Sequence, residues 1–466
     1  MKKLELSLRI VAIAFCICFT HGVHYSQSAN SKTSPEVVRF RSKLDLRNSR
    51  QLLFSPVSKL LAVQRDGGSV QIIDITDGRE QAVLPLSEKS GLQWTTDGER
   101  LLVNDSKSVA LWNARRGTLV SAPLEVRRDK SFLGFDRVKL SPDERLLLSV
   151  RERESFKAAL LEKDNARAQV WDLESGKMRF EVKINGAQGS AEFSPDGKLL
   201  LTTSATSDPK LWDVKTGRLF ATLKPPEPMV LCAGTDSRFS PDGRFVVVQQ
   251  HKCGTWIWES ATGSLKTTIF ADKDNIGGVL EGFTPDGKMF AVAQQRLKGW
   301  SIRTTIELRD CETGELRSAL TDSKWDDWPQ YVLWSNDGRT FVATSGHKYK
   351  GRVWDVSTGT LKATIPMVLT YSRFPWDFGF KDRDALSIHP TLPLISAASN
   401  KFVRLWNAET GELMQTLENT GGMSTWSADG KLLLVSAEDR TSVSVWDVVG
   451  PEAITRPRSV QASTND

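Results

Sequence analysis

The sequence is poor in the residues that do chemistry. Its 466 residues include only five cysteines, five histidines and four tyrosines. Cys16 and Cys18 sit in an apolar N-terminal run. Cys232, Cys253 and Cys311 remain, with no Cys-x-x-Cys spacing. Three widely spaced cysteines exclude a disulfide scaffold, so stability has to come from packing. Only His251, His347 and His389 lie beyond the N-terminus, with no His-rich tract and no haem-attachment motif. No metal or other cofactor is expected. There is no Gly-x-Ser-x-Gly elbow, and Gly67-Gly68 and Gly421-Gly422 lack the Lys-Ser or Lys-Thr of a phosphate loop. Charge of one sign is lacking as well. The formal net charge of +6 is spread along the chain, which argues against nucleic acid as a partner.

Long apolar runs are absent except at the start. Lys2 and Lys3 precede Ile10 to Phe19, and a polar stretch, Thr20 to Ala29, follows. That order is the one found in a secretory signal peptide, assigned to residues 1–29 with a linker at 30–36. Cleavage after Gly22, Ser28 or Ala29 fits equally. The run is shorter than the ~20 apolar residues of a membrane span, and nothing downstream offers another. The mature protein is expected in the periplasm or outside the cell, as a monomer without a membrane span. Asn104-Asp105-Ser106 matches a glycosylation acceptor, which matters only in a eukaryotic secretory pathway.

What the sequence has in quantity is one phrase. Its clearest copies are Phe193-Ser194-Pro195-Asp196-Gly197-Lys198, Phe239-Ser240-Pro241-Asp242-Gly243-Arg244 and Phe283-Thr284-Pro285-Asp286-Gly287-Lys288. Weaker copies centre on Phe54, Trp94, Leu140, Trp334, Ile388 and Trp426, and successive anchors lie 38 to 54 residues apart. Asp-Gly is a tight-turn signal, because Gly tolerates positive φ and Asp bonds its own backbone. After each turn comes a short apolar run such as Lys198 to Thr202 or Lys431 to Val435, suited to a strand buried on both faces. A further strand ends in Trp171-Asp172, Trp212-Asp213, Trp258-Glu259, Trp354-Asp355, Trp406-Asn407 or Trp446-Asp447. Gly176, Gly217, Gly263, Gly314, Gly359 and Gly411 then turn the chain into a more polar outer strand.

These residues resemble the WD-repeat family, in a bacterial-type Phe-Ser-Pro-Asp-Gly form, over Val37 to Val449. The resemblance implies an all-β chain: a single propeller of nine four-stranded blades over residues 37–450, followed by a polar tail, 451–466. The strand missing from the last blade is expected from Val37 to Leu44, which closes the ring and removes open edges. Eight blades with one irregular unit is the alternative. The family's Gly-His pair is missing, and Ile73-Asp74 and Arg309-Asp310 replace Trp-Asp. The family's internal hydrogen-bond network is therefore expected to be degenerate, with apolar packing carrying more of the stability.

Two functions from different classes fit. One is a non-catalytic scaffold binding a protein, peptide or glycan. The other is a propeller enzyme, lactonase-like or quinone-dependent dehydrogenase-like, with its site at the channel mouth. An enzyme needs convergent His, Glu or Arg on the innermost strands. Those strands read as apolar runs ending in Ser or Thr, Leu200 to Ser204 and Val342 to Ser345, which favours binding. The charged insertion Arg151 to Arg167 has mixed signs and reads as a solvated segment. Most tryptophans fall in repeat strands. Trp300, Trp325, Trp328 and Trp376 do not; they fall in loops of units six to eight, with Tyr331, Tyr349, Tyr371, Phe374, Arg296, Arg303 and Arg373. Strand direction places these loops at one end of the ring. Aromatic and Arg side chains are the enriched anchors of binding surfaces. A satellite core under long loops is the alternative. Cys232 and Cys253 flank antiparallel neighbours, so a disulfide and two free thiols stand as equal alternatives; Cys311 is expected to be unpaired.

The export assignment is directly testable. A reporter fused behind residues 1–30 should be secreted and trimmed. Full-length protein that keeps Met1 in the cytosol would remove the localisation.

Overall fold

The computed structural model describes residues 37–449 except 48, 87–89, 105–107, 122, 125–136, 152–165, 186–188, 206, 227–234, 251–253, 271–274, 299–300, 322–328, 346–349, 367–385, 399–400, 419, 421 and 438–440. The chain divides into residues 1–34, which lie outside the described residues, and residues 35–466. The described residues form nine four-stranded antiparallel sheets and no helix.

The first strands of the nine blades are Ser49–Phe54, Gly91–Trp94, Arg137–Leu140, Ser190–Phe193, Thr235–Phe239, Asn275–Phe283, Pro329–Trp334, Leu386–Ile388 and Ser424–Trp426. Eight blades use four consecutive strands. The ninth runs from Ser424–Trp426 through Leu432–Ser436 to Ser442–Val448 and takes Val38–Asp45 as its outer strand. The ring therefore has nine blades, closed as the sequence led us to expect. First strands of neighbouring blades touch, blade five with six and blade eight with nine among them. Fourth strands such as Leu219–Thr222 are largely exposed. The sheets thus stand radially, with first strands at the axis. This corrects the sequence reading, which took the apolar second strands, Leu200 to Ser204 among them, to be innermost.

The second strands carry the packing. Phe245–Gln250 and Leu432–Ser436 are buried along their whole length. Nine apolar clusters result, one at each seam between blades. Leu61 and Val63 of blade one, for example, pack on Leu432 and Leu434 of blade nine. Full burial of each such side chain contributes roughly 1.5–3 kcal/mol. The closing strand is tied in by a side chain of blade eight. Gln415 Oε1 accepts from the backbone N–H of Val37 at 2.7 Å and of Val38 at 2.9 Å, and its Nε2 donates to Val38 O at 2.9 Å.

The tight turns repeat one hydrogen-bond set. In blade four, Ser194 Oγ donates to Asp196 Oδ1 at 2.6 Å and accepts from Leu199 N at 2.9 Å. Asp196 Oδ1 also accepts from Lys198 N at 3.1 Å. Gly197 is needed for its φ of 72°, and it packs against the ring of Pro142 in the preceding turn, 3.6 Å from where a Cβ would lie. Gly243 stands likewise over Pro195, and Gly338 over Pro285. The seam between blades two and three uses other chemistry. Blade two has Thr96 in place of the proline, and blade three has Glu144 in place of the glycine. Glu144 is the one described non-glycine with positive φ, 58°. A proline has no N–H to give. Thr96 donates both its N–H, at 2.7 Å, and its hydroxyl, at 2.8 Å, to Glu144 Oε1, and Arg100 pairs with Oε2. An ionic staple replaces the proline–glycine contact, and it holds Glu144 in a conformation that costs an L residue about 1–2 kcal/mol.

Truncation of Glu144 should separate these effects. Glu144→Ala removes three charge-assisted bonds but keeps the strained backbone, and should cost about 2–4 kcal/mol in denaturant unfolding. Glu144→Gly should cost about 1 kcal/mol less, because the strain is relieved. An alanine variant as stable as the native chain would show that the staple is idle.

Candidate functional site

The ring has two different ends. Turns from first to second and from third to fourth strands lie at one end and are short. In the third-to-fourth turns, Asp213 Oδ1 accepts from Thr216 N at 2.7 Å and Gly217 N donates to Asp213 O at 2.8 Å. Asp74 and Asp310 make the equivalent turns although Ile73 and Arg309 stand where Trp is usual. Asn113 and Asn407 make the turn too, so it needs a side-chain oxygen acceptor and not the indole. Connections from fourth to first and from second to third strands lie at the opposite end, and they include the long stretch between Pro366 and Leu386.

Most of the aromatic face expected from sequence lies outside the described residues: Trp300, Trp325, Trp328, Tyr349, Tyr371, Arg373, Phe374 and Trp376. Tyr331 is placed by its backbone opposite Thr344. The structure brings together Arg296 and Arg303, which are Cα partners in the long hairpin of Met289–Lys298 and Ser301–Asp310. Arg296 is exposed and pairs with Glu307 at 3.0 Å. Glu307 is buried and also takes Arg309, at 2.7 Å. Cys232 and Cys253 lie outside the described residues. Their flanking strands do meet as the disulfide argument requires, with Thr235 opposite Gln250. Cys311 is a free, buried cysteine, and burial raises its thiol pKa.

The axis holds a feature that the sequence reading missed. The residue before each anchor aromatic, or its bulged equivalent, carries charge in four successive blades: Lys139, Glu192, Arg238 and Glu281. Lys139 Nζ donates to Ala191 O at 3.3 Å and lies 3.8 Å from Glu192 Oε2. Glu192 Oε1 accepts from Phe239 N at 2.8 Å, which ties blade four to blade five. Burial raises the Glu192 carboxyl pKa, against the pull of Lys139. Burial pushes Glu281 up to about 8, opposed by Arg238 and reinforced by Asp236. On the other half of the ring the same position holds Leu53, Leu333, Ser387 and Thr425. Trp94 Nε1 there donates to Leu53 O at 2.9 Å, and Trp426 Nε1 to Ser387 O at 3.3 Å. Among the described residues no group of three or more His, Cys, Asp or Glu could hold a metal ion.

No family model matches the chain. It is 36% identical over 86 residues to WD repeat-containing protein 1 of mouse, and equally to that of rat. That match covers 18% of this chain and only 13% of the length of those relatives. Among solved structures, a eukaryotic initiation factor superposes with TM-score 0.61 at 14% identity, covering 84% of this chain and 94% of that one. The C-terminal WD40 domain of Sif2 superposes with TM-score 0.50 at 13% identity, covering 89% and 99%. The chain is a nine-bladed β-propeller whose repeats are similar to those of WD-repeat proteins.

In this propeller the tryptophan network is thinned, as its departures from the family pattern led us to expect. Trp212 Nε1 donates to Thr202 Oγ1 at 2.9 Å and Trp171 Nε1 to Ser149 Oγ at 3.3 Å. Trp112, Trp258 and Trp406 bury their N–H without a partner among the described residues. His389 stands where the repeat has serine, and its contacts are those of a structural residue. Its Nδ1 accepts from the backbone N–H of Thr391 at 3.1 Å and of Leu392 at 2.9 Å. The proton therefore sits on Nε2, which donates to Gly430 O at 2.8 Å in the next blade. His251 and His347 lie outside the described residues.

Desolvation lowers the His389 pKa. A folded-state value below the unfolded one means that its stabilisation is complete above about pH 6.5 and is lost as pH falls from there toward the folded value. The melting temperature should therefore drop from about pH 7 to about pH 5, and His389→Gln should flatten that drop. An unchanged acid slope in His389→Gln would dismiss the histidine as its source.

Proposed function

We propose that this propeller is an exported, non-catalytic binding module that engages a protein, peptide or glycan through the end bearing its long connections. The observation that carries the reading is the asymmetry of the two ends. At one end the polar groups are spent within the turns or between adjacent turns: Asp196, Asp213 and Asp355 are bonded within their own loops, and Thr96 and His389 bond to the turn of the next blade. At the other end lies the hairpin bearing Arg296 and Arg303, whose strands run ten residues each, and the sequence of the connections in blades six to eight is rich in aromatics. Blade six pairs its outer strand, Leu316–Thr321, only as far as Thr305, so the hairpin tip extends past that neighbour. An extended hairpin with Arg and connections rich in aromatics supply the side chains that anchor interfaces. Stacked aromatics would also suit sugar rings. The two bonds that Glu192 and Lys139 make between blades give those channel groups a structural role, which favours binding over catalysis at the axis.

The test compares the ends. Alanine at Arg303, Trp328 and Trp376 together should abolish retention of the exported protein's partner in a cross-linking pull-down. The melting temperature should stay nearly unchanged, since substitutions away from the buried seams usually alter stability by less than about 0.5 kcal/mol each. Alanine at Lys198 and Lys288, in the tight turns, should leave retention intact. Loss of the partner only in the tight-turn variants would reverse the assignment.

A further inference from the structure

The axis at blades five to seven departs from the rest of the ring. In blade six, Leu280 pairs with Val292 and Gly282 with Ala291, so Glu281 is the extra residue of a β-bulge. Gly282 has a φ of 136°, a conformation that favours glycine. Bulges re-aim side chains and interrupt local pairing. One neighbour loses its partner here. Trp334 in blade seven corresponds to Trp94 and Trp426, whose indoles donate to the carbonyl of the preceding blade's equivalent residue. That residue is Gly282 for Trp334, yet Trp334 Nε1 is buried without an acceptor among the described residues. Arg238 in blade five makes no hydrogen bond or close ion pair among the described residues, although its charge is felt by Glu281 and by Glu192. A Cβ on Gly282 would lie 3.7 Å from Arg238 Nη1 and 3.8 Å from Trp334 Nε1. A guanidinium and an indole N–H therefore flank one glycine that has no side chain to fill the space between them.

The Trp334 indole N–H is a buried donor without an acceptor among the described residues, which is costly and calls for an explanation; the Arg238 guanidinium beside it is exposed. We infer that this gap at the tight-turn end of the channel binds a carboxylate, presented by a peptide as its C-terminus or as an Asp or Glu side chain. Arg238 supplies a planar fork that matches a carboxylate, and Trp334 supplies a single directed donor. Glu281 is largely protonated at neutral pH, since burial holds its carboxyl near 8, and a protonated carboxyl donates. Asp236, on the same strand as Arg238, adds a negative charge. A singly charged ligand is favoured over a dianionic phosphate for that reason. The Lys139–Glu192 pair is occupied with its own contacts in blades three to five. This site lies toward the opposite end from the proposed partner surface and does not depend on it.

The experiment follows the Trp334 indole resonance in a nitrogen-15 correlation spectrum of the full propeller, assigned with Trp334→Phe. Acetate should shift it saturably, and acetamide, its neutral counterpart, should not. Arg238→Gln should weaken acetate by about tenfold or more, the loss expected for one charge-assisted pair. Affinity should fall as pH rises through about 8, where Glu281 ionises, and Glu281→Gln should keep binding while removing that dependence. Two peptides then separate the sources. One has a free C-terminus and no acidic residue; the other is amidated and carries a single glutamate. Whichever shifts the resonance names the source. A resonance indifferent to acetate and to both peptides, or an Arg238→Gln protein that binds as tightly as the native one, overturns the inference. A Glu281→Gln protein with unaltered pH dependence overturns it too.

Discussion

The whole ring depends on the burial of the second strands between neighbouring blades. A strand such as Phe245–Gln250 has no face of its own to offer solvent. A lone blade would expose both of its apolar faces, so no blade is a stable unit. Each seam needs its neighbour, and the chain of seams is satisfied only when it closes. This explains why the closing strand comes from the N-terminal side and why a side chain from a third place secures it. Gln415 binds the backbone at Val37 and Val38 from blade eight while the strand itself pairs with blade nine. The joint is thereby shared across a seam and does not rest on one sheet edge alone.

Burial sets how much each seam contributes but not how two blades align. The tight turns do that. At several seams a proline on one turn packs against a glycine on the next, as Gly197 on Pro142 and Gly243 on Pro195 show. The seam between blades two and three is joined by other chemistry. Thr96 and Glu144 are intelligible only as a pair: the N–H that proline lacks meets the carboxylate that glycine lacks. Neither residue alone departs from the repeat for a reason visible in its own blade.

How much of this was legible in the sequence follows from how local each interaction is. The Ser-x-Asp-Gly turn makes all its bonds within six residues, as in Ser194 to Leu199, so its phrase announces each blade wherever it occurs. The apolar runs and the Asp of the third-to-fourth turn are local in the same way, and they yielded nine blades and the closing strand. The channel was not legible. First strands are short, as few as the three residues of Leu386–Ile388, and they precede the signal that identifies the unit. Reading the apolar second strands as innermost hid Lys139, Glu192, Arg238 and Glu281. The bulge is a register event between Leu280 and Gly282, and sequence spacing alone does not reveal register. The aromatic residues of blades six to eight stood out in sequence because they fit no repeat position, which is also why the repeat could not place them.

The axis divides the ring into two kinds of seam. On the neutral half, Trp94 and Trp426 close the gap between first strands with an indole-to-carbonyl bond, which has no charge to titrate and little freedom. On the charged half, Lys139 and Glu192 close it with ionic contacts to backbone groups. Between Arg238 and Trp334 neither device operates, because the bulge moves the carbonyl that the indole would use. A repeat protein tolerates such a gap since the apolar clusters behind it, Phe245 with Phe290 and Ala291 with Phe341, are intact on both sides. The polar interior can therefore vary blade by blade while the seams hold the fold. In a closed ring the axis is then a place where sequence changes at small cost to stability, and chemistry can be placed there that the outer strands could not hold out of water.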